Sequence, residues 1–271
     1  MKHRRLGVCI ATGLVLIARV RAQDSTQFMD GPARDLFYYS RMAIGDGGAN
    51  VAKLHGLILK GRSKFIVEGG LTGAAVEIKL LLPDHYLRID TSGTVQKMAG
   101  YAGKTVLSAI HDGPLVTLPP ESLLKTILQN EKHRVARLLL GATTYVGGDV
   151  AMTFSSVPRS VEFVDPRVNP RTSISVDNST AEPLTALVSG ERFSAQFMCD
   201  GKTRMPAQIT YVGADKKPVI IRFEDRRVVD GLHLPFHIIT TSDGRIIDEL
   251  SLDEIFVNPE LSKRDFSRSA K

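Results

Sequence analysis

Chemistry in this 271-residue chain would have to come from seven histidines, two cysteines and a few clusters of charge. His233 and His237 are four apart in a stretch that alternates like a strand, so they share a face. At roughly 3.3 Å per extended residue they are about 13 Å apart, too far to hold one metal, and they read as two surface-facing histidines. His111-Asp112 could orient an imidazole for base catalysis, but Asp112-Gly113-Pro114 is a turn by composition. Asp225, Arg226, Arg227 and Asp230 form a dense charge group, read as ion pairs across neighbouring strands that help fix register. There is no HExxH, no CxxC pair, no GxSxG and no phosphate-cradling glycine loop. The chain is therefore expected to be non-catalytic, with no cofactor and no metal.

The elements that would position any site are clearest over residues 217–266, KPVIIRFEDRRVVDGLHLPFHIITTSDGRIIDELSLDEIFVNPELSKRDF. The run 219–223 is apolar, and Asp230-Gly231 offers a positive-φ turn before Leu232. Leu232, Leu234, Phe236 and Ile238 then alternate with their neighbours, Ser242-Asp243-Gly244 turns the chain, and 246–257 runs back. Adjacent pairs such as Ile238 and Ile239 put apolar residues on both faces, so each face needs a cover or a bound molecule. A short polar tail follows. Its Lys263, Arg264, Arg268 and Lys271 read as a solvated basic end.

Upstream, Pro32 can open a helix whose Leu36, Phe37, Ser40, Ala43 and Ile44 form one stripe, ending at Gly45. Strands are expected at 56–65, 74–82 and 86–90, then at 94–98 and 105–111 with residues 100–103 as the turn between them. Val76, Ile78 and Leu80 alternate with Glu77, Lys79 and Leu81, the pattern of a half-buried strand. Pro119-Pro120-Glu121 opens a second amphipathic helix running to about residue 140, with Leu124, Ile127 and Leu128 near one face. That helix is either a lid or an ordinary packing helix. Residues 142–182 are proline-punctuated and read as edge strands and loops, and strands return at 184–188, 192–198 and 207–212.

The chain begins with Lys2, Arg4 and Arg5 ahead of an apolar run from Leu6 to about Ala18, followed by small residues. This is a secretory signal with expected cleavage near Ala22, so 1–22 is signal peptide and 23–271 a single domain. The run falls short of the roughly 20 apolar residues of a spanning helix. Without its five basic residues, 30 basic side chains face 29 acidic ones, which removes the footprint expected of a nucleic-acid binder. Cys199 is then the sole cysteine, so no internal disulfide is possible, and it reads as a buried small hydrophobe. The absence of tryptophan also weakens a carbohydrate-binding reading.

RFEDRRVVDGLHLPFHI at 222–238, followed by a strand and then VNPELSKRDF at 257–266, resembles the closing strands of the LolA/LolB-like superfamily, the periplasmic outer-membrane lipoprotein carriers and their relatives. Thr203 to Pro206 ahead of a strand, the helix ending at Gly45 and the strands from Gly56 onward fit the same pattern. The resemblance implies a mainly β (α+β) fold: a curved antiparallel sheet forming an incomplete barrel, covered by two or more helices. It further implies a periplasmic protein of a Gram-negative-type envelope that binds lipid or an acylated lipoprotein in an apolar cavity, with membrane-associated donor or acceptor proteins as further partners. Val76, Ile78, Leu80, Leu124, Ile127, Leu128, Phe236 and Ile238 are the expected cavity residues. A sensor or protein-interaction module on the same fold is the alternative. The family's control of its lid by an arginine finds no matching motif here.

Overall fold

In the computed structural model the described residues are 27–28, 31–45, 49–67, 70–82, 85–102, 105–110, 116–117, 153–156, 163–165, 168–172, 184–189, 194–213 and 216–266. The described strands, in chain order, are β1 Gln27–Phe28, β2 Gly56–Val67, β3 Gly70–Leu81, β4 His85–Ser92, β5 Val95–Ala102, β6 Thr105–Ile110, β7 Val116–Thr117 and β8 Thr153–Ser156. They continue with β9 Phe163–Asp165, β10 Val168–Thr172, β11 Leu184–Ser189, β12 Ser194–Cys199, β13 Pro206–Val212, β14 Pro218–Val229, β15 Leu232–Ser242 and β16 Arg245–Val257. Helix α1 spans Gly31–Ile44, a short α2 spans Ala49–Lys53, and a 3-10 turn, Lys263–Phe266, closes the described chain.

Fourteen of the strands form one sheet in the order β1-β8-β11-β12-β13-β14-β15-β16-β2-β3-β4-β5-β6-β7, antiparallel throughout except for the β1–β8 pair. Its two edges do not meet, so the sheet is an incomplete barrel rather than a closed one. The β14–β15 and β15–β16 hairpins lie where the turn residues put them. Asp230 (φ 48°) and Gly231 (φ 74°) reverse the first, and Asp243 (φ 51°) and Gly244 (φ 74°) the second. Two successive positive φ angles match the strand twist, which is why Asp-Gly is favoured at such turns.

One face carries the main core. Alternate residues of eight strands, β12 to β16 and β2 to β4, join Leu36, Phe37 and Ile44 of α1 in a single apolar cluster. Helix α1 touches β11 and β15, four places apart in the sheet order. Four strand spacings are about 19 Å and a 14-residue helix is about 21 Å long, so α1 lies across the strands rather than along them. Proline at the second helical position and the stripe through Ser40 and Ile44 account for its start and its buried side.

The opposite face is only partly wet. Leu87 and Met98 form a second cluster with Phe266, supported by Leu81, Ile89 and Leu261, so the chain end docks on the outer face of β4 and β5. The tail expected to be simply solvated thus has a buried anchor: Lys263 and Arg264 are exposed, whereas Phe266 is fully buried. Other departures are local. Gly100 lies inside β5, opposite Leu87, instead of in a turn. There a Cβ would run into the Tyr86 carbonyl oxygen, so the close strand approach requires glycine. Within 142–182, β8 is an interior strand pairing with both β1 and β11, while β9 and β10 form a separate hairpin. The expected helix at 119–140 and the leader 1–22 lie outside the described residues.

Candidate functional site

The helix-covered face is the place where this fold can act. Val76, Ile78 and Leu80 on β3 and Phe236 and Ile238 on β15 are all buried and belong to the cluster that α1 covers. Ile238 pairs with Phe223 on one side and Leu250 on the other, so cross-strand contact carries the apolar surface over β14, β15 and β16. A β-bulge between Leu252 and Glu254 keeps it continuous: Leu250, Leu252 and Ile255 all reach the cluster although the last two are three apart. Leu124, Ile127 and Leu128 lie outside the described residues.

Polar groups interrupt this face at two places, and the first was not expected. Tyr86, Arg88 and Asp90 pair in register with Leu80, Ile78 and Val76, which puts all three on the covered side. Arg88 Nε and Nη2 donate to Asp90 at 2.7 and 2.9 Å, and Nη1 and Nη2 donate to Asp248 at 2.7 and 2.9 Å. The buried Ser63 hydroxyl donates to Asp90 at 2.8 Å. Exposure of the three charged side chains is 13 to 15 %. Burial alone would depress the Arg88 pKa, but its bonds to Asp248 and Asp90 outweigh that and raise it further. One guanidinium is thus shared between two carboxylates. The alternation of Arg88 and Asp90 was a visible signal that they share a face; their partner 160 residues away was not.

The second group lies beneath α1. Cys199 is fully buried, and its thiol is pushed up to about 12 by burial, against a hydrogen bond with Ser40 that acts the other way. It is a packing residue, as its sequence context suggested. Ser40 Oγ in turn donates to the Phe37 carbonyl of the same helix at 3.0 Å. Arg226 is close enough to Cys199 to act on it electrostatically. Burial lowers the Arg226 pKa to about 10, and its Nη2 is buried with no hydrogen-bond partner.

The remaining members of the 225–230 charge group behave differently from the expected cross-strand pairs. Arg227 Nη2 donates to Asp225 on its own strand at 2.6 Å, both exposed, and its guanidinium lies 4.4 Å from the Phe236 ring centroid. His237 sits between two carboxylates, Nδ1 at 3.0 Å from Glu224 and Nε2 at 3.0 Å from Glu249. Among the described residues no group of three or more His, Cys, Asp or Glu side chains is arranged to hold a metal ion. His111 lies outside them.

Solved structures share this architecture. A LolA superfamily protein from Nitrosomonas europaea superimposes with a TM-score of 0.53, covering 88% of this chain and 99% of its own, at 8% identity. A DUF1329 family protein from Desulfovibrio piger does so with a TM-score of 0.55, covering 89% and 99%, also at 8% identity. The fold is LolA-like. No protein-family model matches the sequence, and no curated protein matches it. A LolA-like sheet spanning nearly the whole of both structures establishes architecture, and the side chains must speak for function.

Proposed function

We propose that this chain is an exported, periplasmic carrier or binder of lipid or lipoprotein acyl chains, working without catalysis. The supporting observation is the apolar cluster running from β12 to β4, to which α1, laid across the strands, contributes Leu36, Phe37 and Ile44. Val76, Ile78, Leu80, Phe236 and Ile238 supply that face, and Leu124, Ile127 and Leu128 are proposed to complete the cavity. Acyl burial contributes about 0.8 kcal/mol per methylene and needs no directed polar contact, so such a site requires apolar area more than any motif. Leu36, Phe37 and Ile44 of α1 occupy the same surface, so cargo entry involves displacement of a covering element.

The test is extraction of organic-soluble ligand from gently purified protein followed by mass spectrometry, together with titration by an acylated peptide. A reproducible acyl species, or binding that requires the acyl group, supports the carrier reading. A protein that is consistently empty and indifferent to the acylated peptide overturns it.

One observation favours a second reading, a periplasmic sensor or protein-interaction module. Tyr38, Tyr39 and Met42 on the other side of α1 are about half exposed, an apolar and aromatic surface. If the protein is empty, that helix face is the place to look for a partner.

A further inference from the structure

The pairing of β15 with β16 stops part-way along the two strands. Its last rung is His237 opposite Ser251. Beyond that rung, residues 232–235 stay on their β14 partners and 252–257 on their β2 side, so the ladder forks between β15 and β16. A β-bulge between Leu252 and Glu254 lies just past the fork on β16. On the other side of the rung, Ile238 faces Leu250, and both belong to the apolar cluster.

Side chains on the outer face close this last rung. His237 Nε2 lies 3.0 Å from Glu249 on β16, and Nδ1 lies 3.0 Å from Glu224 on β14. A neutral imidazole has one N–H and one lone pair, whereas an ionised carboxylate only accepts. The neutral ring can therefore donate to one glutamate and must turn its lone pair toward the other. The imidazolium donates to both. The other charged groups on this face are less direct. Asp225 acts on His237 electrostatically from β14, the register puts Arg222 and Arg226 on either side of Glu224, and on β2 it puts Arg62 opposite Ser251 and Lys64 opposite Glu249. Lys64 Nζ is 3.5 Å from Glu249 and so helps to hold that carboxylate in place. The two glutamates raise the His237 pKa against the effect of burial, so the contact is present at low pH and lost as pH rises through the folded value.

We propose that His237 is a pH-sensitive latch on this fork: as the imidazolium it holds the last β15–β16 rung closed, and on losing its proton it lets the fork lengthen toward Ile238 and Leu250. The next rung to part is one whose side chains face the apolar cluster, so a change on the outer face loosens the wall of the covered one. The latch is local, since β2 and β3 remain paired along their whole length, and it does not depend on what the covered face binds.

Amide hydrogen exchange of the full protein at pH 5.5 and pH 8.5, corrected for the intrinsic rate at each pH, reads the opening directly. The amides of residues 238–240 and 249–251 report the latch, and those of the β2–β3 pair serve as reference. Relative to that reference, protection at the rung is expected to fall by about two- to fivefold from pH 5.5 to pH 8.5, the range of a partly exposed ion pair. His237→Gln removes this pH dependence. Glu249→Gln also removes it but keeps the rung protected at both pH values, because a side-chain amide can accept from the imidazolium and donate to the neutral ring. Equal relative protection at the two pH values in the parent, a fall shared by the reference strands, or a pH dependence that survives His237→Gln overturns the latch. Should His237→Gln not fold, the parent comparison and Glu249→Gln still decide.

Discussion

Arg88 and Asp248 meet on the covered face through two parallel hydrogen bonds, 2.7 Å from Nη1 to Oδ2 and 2.9 Å from Nη2 to Oδ1. They link β4 to β16 across the intervening β2 and β3, so the pair ties together strands that do not touch through their backbones. Removing the shared cation strands two carboxylates side by side. Arg88→Met is expected to cost about 3–5 kcal/mol. Asp248→Asn, which leaves Arg88 paired with Asp90, should cost about 1–2 kcal/mol. Urea unfolding of both variants checks the order; a milder effect for Arg88→Met than for Asp248→Asn would show that the group is not coupled as described.

The docked chain end makes a separate prediction. Phe266 is fully buried, its ring centroid 5.2 Å from that of His85 in an edge arrangement, on top of Leu87 and Met98. Phe266→Ala is expected to cost about 3 kcal/mol through lost burial and the cavity it leaves. Phe266→Leu should cost less than half as much. Unfolding midpoints of the two variants, with the slopes compared, test whether the tail is part of the fold.

What could be read from the sequence, and what could not, follows from the range of each signal. Asp230-Gly231 and Asp243-Gly244 announce their hairpins because the positive φ they adopt is a local property of those residues. Helix α1 declares its buried stripe for the same reason: Leu36, Phe37, Ser40 and Ile44 are near neighbours on one helix. Facing in the sheet is different. Ile238 is buried while Ile239 beside it is only partly so, and nothing in their chemistry decides between them. The bulge near Leu252 breaks the period of two, so Ile255 would have been placed on the wrong side by alternation. Arg226 and Arg227 look alike in sequence, yet one is half-buried with its Nη2 lacking an acceptor and the other is exposed and paired.

Glycines in strand interiors can be sorted by what a methyl group would meet. A Cβ on Gly61 would run into the Ser251 carbonyl oxygen at the bulged crossing of β2 and β16, whereas one on Gly73 meets nothing nearer than the Ser63 carbonyl oxygen at 3.8 Å. Gly61→Ala is therefore expected to destabilise by about 1–3 kcal/mol. Gly73→Ala should be neutral or stabilising by up to about 1 kcal/mol, since it removes only unfolded-state freedom. Matched thermal melts of the two variants read the difference.

His237 gives the chain a pH dependence whose sign can be worked out. Burial alone would lower its pKa, but hydrogen bonds to Glu249 and Glu224 outweigh that and raise it above the ordinary 6.5. A histidine whose folded pKa is raised contributes stability that is fully present below its unfolded value and is lost as pH rises through the folded one. On the acid side, the hydrogen bond from His237, with lesser help from Lys64, holds Glu249 below its ordinary 4.5, so that contribution fades as pH falls through the Glu249 value. The group should therefore stabilise most between these limits, near pH 5.5. His237→Gln is expected to lower the melting temperature more at pH 5.5 than at pH 8.5. The partial exposure of His237 and Glu224, 28 and 47 %, keeps the effect modest and reducible by salt. A larger loss at pH 8.5 than at pH 5.5 would mean that neutral His237 is the form the two glutamates favour, and the assigned charge state would be wrong.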